Sequence, residues 1–140
     1  MRFPVLRTEL NLLHKELIAL HKGLLLYQTK RCEDQDGRKY NPYELLNMTF
    51  NDARFQWFRK LSQLIARIDE MTDSRNKKPG DPVEILDEVT VLLNGESEEF
   101  VGHYTLALVA DPSLTINEVD VRKAISRIRL ILNPKPDDPK

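Results

Sequence analysis

Asn51-Asp52-Ala53-Arg54-Phe55-Gln56-Trp57-Phe58-Arg59-Lys60-Leu61-Ser62-Gln63-Leu64-Ile65-Ala66-Arg67-Ile68-Asp69-Glu70 decides the fold, because its apolar residues recur with the period of a helix. Trp57, Leu61, Leu64, Ile68 and Met71 step by four and three, with Phe58 and Ile65 beside them. The pattern predicts a helix over 52–72, and the aromatic group Phe50, Phe55, Trp57 and Phe58 is expected to face the core. No catalytic, metal, phosphate or nucleic-acid motif accompanies the stretch.

Toward the N-terminus, Leu6, Leu10, Leu13, Leu17, Leu20, Leu24 and Tyr27 keep the same four-and-three stepping. This predicts a long helix over 8–34 capped by Thr8, and Leu12, Ile18, Leu25 and Leu26 widen its apolar face beyond a coiled-coil seam. Glu33-Asp34-Gln35-Asp36-Gly37-Arg38-Lys39 is polar and holds a turn glycine, so it reads as a loop. Its Arg38 and Lys39 supply no oxygen ligands where a calcium loop needs them. Asn41-Pro42-Tyr43-Glu44 is a helix start, with a capping asparagine and a glutamate that closes a capping box, and it opens a short helix over 42–48.

Toward the C-terminus, 73–80 lacks any periodic apolar residue and is expected to be a mobile linker inside the fold. Asp81-Pro82-Val83-Glu84 repeats the start signal for a fourth helix that ends at Asn94-Gly95. A fifth helix is expected over 97–110; the run 106–110 also reads as a strand, but a lone strand has no partner. Asn117 is the expected cap of a sixth helix with Val121, Ile125, Ile128 and Leu132 in its seam, broken by Asn133-Pro134. The expected fold is all-α: a single-domain antiparallel bundle over 1–133, of about five main helices and one short one, followed by a disordered tail over 134–140.

Composition suits that reading. The chain has 140 residues, 41% hydrophobic and 31% charged, with a formal net charge of −1 that gives no field toward nucleic acid or an anionic membrane. Cys32 is the lone cysteine, which excludes an internal disulfide and cannot by itself build a zinc site; a reducing, cytoplasmic address is expected. No segment approaches the ~20 apolar residues that span a bilayer. No metal or cofactor is expected. The basic groups around Arg54, Arg59, Lys60 and Arg67, and around Arg122, Lys123, Arg127 and Arg129, are diluted by acids, so nucleic acid is not an expected partner.

Candidate binding residues lie on the first and third predicted helices. His14 and His21 are seven residues apart, in a row with Arg7 and Gln28 at the border of the leucine seam. That separation, about 10 Å along a helix, is too long for one shared metal ion. Glu99 and His103 share a helix face but lack further ligands. A helical wheel puts Arg54 within the apolar arc of Trp57, Phe58, Leu61 and Ile65, with Ser62 and Asp69 on its edge. His14, His21, Arg54, Trp57, Arg59 and Asp69 are therefore the expected lining of any groove that receives a peptide or an anionic small molecule. No catalytic residue is assigned, since no nucleophile and base occur at a defined spacing.

The segment 51–70, with Leu13-His14-Lys15 and Pro42-Tyr43-Glu44-Leu45-Leu46 before it, resembles a family of small bacterial all-helical proteins over roughly the first half of the chain. In that family the central helix begins Asp-Pro-x-Phe-x-Trp; here Ala53 replaces the proline, which leaves the helix start less sharply defined. The resemblance implies a bacterial cytosolic bundle and brings no established activity. Two functions are thus expected to compete: a non-catalytic interaction module that docks a protein or a second copy through spare apolar surface such as Leu12, Leu25 and Leu26, and a ligand-binding or enzymatic bundle using a groove between the first and third helices.

Overall fold

The computed structural model describes residues 2–73, 75 and 80–133. The expected disordered tail, and most of the expected mobile linker, lie outside the described residues. Among those residues the chain forms six α-helices and no strand: α1 (Arg2–Asp36), α2 (Pro42–Asn51), α3 (Arg59–Thr72), α4 (Pro82–Leu93), α5 (Glu98–Ala110) and α6 (Ser113–Leu132). A six-residue 3₁₀ segment, Ala53–Phe58, leads into α3. None of these helices is long and apolar enough to cross a membrane.

α1 starts earlier than the expected Thr8 and runs 35 residues, about 52 Å at 1.5 Å per residue. Pro4 falls in its first turn, where a missing N–H breaks no helical bond, so the helix extends past the expected cap. Leu10, Leu13, Leu17, Leu20 and Leu24 are buried along one seam. α6 lies antiparallel against it: Arg127 donates to Glu9 at one end, and Leu114 packs on Gly23 at the other. A Cβ on Gly23 would sit 2.2 Å from Leu114 Cδ2, so glycine is what lets the two helices close at this point.

α3 lies antiparallel to α1 on its other flank, in a register set by Gln28 with Trp57, His21 with Ser62 and His14 with Asp69. α4 returns antiparallel to α3, where Glu88 accepts from both Lys60 and Arg67 and Arg67 also reaches Glu84. α5 and α6 form a hairpin joined by the Tyr104 hydroxyl donating to Glu118 at 2.6 Å. Trp57, Phe100, Tyr104, Leu86, Val89, Val121 and Ile128 complete the common core.

Three further expectations are corrected. The stretch 52–72 is not one α-helix. The Asp52 carboxylate accepts from the Arg54 N–H at 2.9 Å, and the Phe55 N–H donates to the Asp52 carbonyl at 3.1 Å, so the chain enters as a 3₁₀ turn. Tighter winding has a packing benefit: at about 120° per residue Phe55, Trp57 and Phe58 span an arc of about 120°, against about 160° on an α-helix. All three are buried as a result. Phe50 is not part of that core; it ends α2 on the outside. The sixth helix begins at Ser113 rather than after Asn117, because Asp111 accepts from the Ser113 N–H and hydroxyl and Pro112 holds the φ of a first turn. Burial of Leu114 fixes that early start.

Candidate functional site

The residues singled out in the sequence fall into three places. His14, His21 and Gln28 stand at seven-residue spacing on the α1 face that meets α3, and each faces a side chain opposite. Gln28 is buried; its Oε1 accepts from Trp57 Nε1 at 2.9 Å and its Nε2 donates to Cys32 Sγ at 3.4 Å. Trp57 is therefore enclosed, edge-on to Phe58 and stacked on His103, whose ring is thereby drawn to the indole. Among the described residues no group of three His, Cys, Asp or Glu side chains stands close enough to hold a metal ion.

Arg54 points at the C-terminus of α1. Its guanidinium donates to Asp52, to Asp36 and to Gln35, a cluster that ties the 3₁₀ segment to α1. The Arg54 hydrogen bonds hold both carboxyls below the usual carboxylate range, and Tyr40 adds to the effect at Asp36. Opposite charges at the C-terminal end of a helix and its neighbour fasten the chain here, and Arg54 does not line the cleft between α1 and α3.

His21 and Arg59 do meet in a groove. It is an open cleft of ≈ 520 Å³ between α1, the end of α2 and α3. Phe55 and Phe58 form its floor, Leu25, Phe50 and Ala66 its apolar walls, and Thr49, Ser62 and Gln63 its further polar rim. His14 and Asp69, 3.9 Å apart, lie farther along the same helix pair and outside the cleft lining. Ser62 Oγ and His21 Nε2 are 2.7 Å apart, with the donor set by the imidazole tautomer. Burial lowers the His21 pKa, which favours the neutral ring at neutral pH, and the ring also packs edge-on against Phe58 at 5.3 Å.

A hydroxyl beside a neutral imidazole is a nucleophile next to a base. What would orient that base and stabilise an oxyanion is missing among the described residues. No carboxylate orients the second ring nitrogen, and Ser62 lies inside α3, where the neighbouring backbone N–H groups are engaged in the helix ladder rather than gathered as oxyanion donors. The arrangement is suited to holding a ligand by hydrogen bonds. Sequence reasoning missed this pairing and the Phe55 and Phe58 floor; Ser62 was visible only as an edge residue, and its contact depends on the α1 to α3 register.

Several basic residues outside the cleft are matched by acids. Lys60 and Arg67 bind Glu88, Arg122 binds Glu118, Arg127 binds Glu9 and Arg129 binds Asp87. Arg59 differs: its guanidinium donates to the Phe50 carbonyl at 3.4 Å, and no carboxylate among the described residues pairs with it.

The apolar surface is distributed differently from the expectation for α1. Leu12 and Leu26 are exposed, but Leu25 packs against the core and walls the cleft. The larger exposed stripe is on α2, which buries none of its residues completely. Tyr43, Leu46 and Phe50 fall on one side of it at 88%, 59% and 66% exposure. Capping rather than burial holds α2: Asn41 and Glu44 make the reciprocal capping box, and Arg38 pairs with Glu44 at 2.6 Å. No protein-family model, no curated protein and no solved structure matches this chain.

Proposed function

We propose that the protein is a non-catalytic interaction module of the bacterial cytoplasm that pairs with a second copy of itself through the outer face of α2. One observation carries the reading: a ten-residue helix with no fully buried residue keeps a tyrosine, a leucine and a phenylalanine on its solvent side. Aromatic and aliphatic side chains aligned at i, i+3 and i+7 are the contact set of helix-to-helix docking. Exposed Leu12 and Leu26 on α1 offer additional apolar area for the same purpose.

Native mass spectrometry of the wild-type chain and of Leu46→Asp tests it. The wild type is expected as a dimer and Leu46→Asp as a folded monomer. A wild type that stays monomeric across the micromolar range, or a Leu46→Asp dimer, overturns the proposal.

A further inference from the structure

The cleft between α1 and α3 has a chemistry of its own and shares only Phe50 with the α2 stripe. Its ≈ 520 Å³ lies within the range of about 300–1,000 Å³ in which proteins bind small molecules. Its floor and one wall are phenyl rings, and its lining contains an arginine, a histidine, hydroxyls and an amide but no carboxylate. Lys60 and Arg67 of the same helix are paired with Glu88, whereas Arg59 is left with one long bond to a carbonyl in a lining without a carboxylate, which sets it to receive an anion. Ser62 and Arg59 are three residues apart on α3, hence on one face of that helix, and His21 meets Ser62 from α1.

We propose that this cleft binds a small organic anion with an aromatic body, its acid group held by Arg59 and Ser62 beside His21 and its ring laid against Phe50, Phe55 and Phe58. The Arg59 fork supplies charge and two parallel donors. Ser62 donates to an anion oxygen once its hydroxyl turns from the imidazole, and His21 in its Nε2–H form then replaces that lost bond or adds a second donor. The phenyl floor supplies apolar contact and ring stacking and gives the site its preference for a flat body.

The test is a titration of the wild-type protein with 2-naphthoate, followed by amide ¹H–¹⁵N chemical shifts and by the emission of Trp57, which touches the cleft floor through Phe58 at 4.9 Å. Saturable shifts are expected at 18–25 on α1 and 59–66 on α3. Uncharged 2-naphthamide is expected to bind at least tenfold more weakly, Arg59→Gln to lose at least tenfold in naphthoate affinity, and Arg59→Lys to fall between. Leu46→Asp, which strikes the α2 stripe alone, is expected to bind naphthoate as the wild type does, so the fate of the self-association proposal does not decide this one. Equal affinity for naphthoate and naphthamide, an Arg59→Gln variant with a native spectrum and unchanged binding, or shifts confined to Tyr43 and Leu46 would each overturn the proposal.

Discussion

The α1 to α6 seam and the short helix α2 are both helical and are held by opposite means. In the seam, leucines are buried one after another and the Leu114 side chain seats on Gly23, so stability comes from apolar area removed from water and from close packing. α2 is held at its ends. Its capping box, the Arg38 to Glu44 pair and the bond from the Asp52 N–H to the Met48 carbonyl at 2.8 Å keep it wound, while only partly buried side chains such as Leu45 and Met48 rest on the core. Capping makes a helix without making it part of the cooperative core. A helix held that way is free to devote its apolar face to something else.

Three substitutions probe this contrast, in decreasing order of effect. Leu17→Ala empties a fully buried site in the seam and is expected to cost about 2–5 kcal/mol of global stability. Urea denaturation followed by Trp57 emission measures it, and a loss below about 1 kcal/mol would mean the seam collapses around the gap. Trp57→Phe leaves the buried Gln28 Oε1 without its donor and is expected to cost about 1–3 kcal/mol, read by far-ultraviolet circular dichroism because the fluorophore is gone. Asn41→Ala removes the α2 cap, a loss of about 1 kcal/mol. That loss is expected to appear only as roughly fivefold faster amide hydrogen exchange within α2, with the global urea midpoint unchanged. If the midpoint moved with it, α2 would belong to the core and the contrast would fail.

The period of the apolar residues made the helices legible, since Leu10 to Leu24 and Leu61 to Met71 bury the residues their spacing selects. Capping motifs were legible too: Asn41-Pro42 and Asp81-Pro82 start helices where their chemistry dictates. What escaped was local competition and packing that the apolar period does not carry. The 3₁₀ winding of 53–58 follows from the Asp52 turn and from three aromatics sharing one buried arc, and the start of α6 follows from the Asp111 cap together with Leu114 meeting Gly23 from a distant helix. Of the candidate site, His21 was legible as a polar residue bordering the leucine seam, and Arg59 only as an arginine beside the aromatic run. The pairing of His21 with Ser62, and the commitment of Arg54 to Asp36, depend on how α1 and α3 slide along one another, which no local pattern encodes.

The partnership of α1 with α6 also governs the order in which the molecule is made. Glu9 and Arg127 are separated by 118 positions, so the leucines of α1 leave the ribosome long before the helix that covers one of their flanks exists. At ~5–20 residues per second, that interval is on the order of ten seconds. During that time the nascent chain displays a partly uncovered leucine ridge, an aggregation-prone surface, and this part of the fold completes only after α6 has been released.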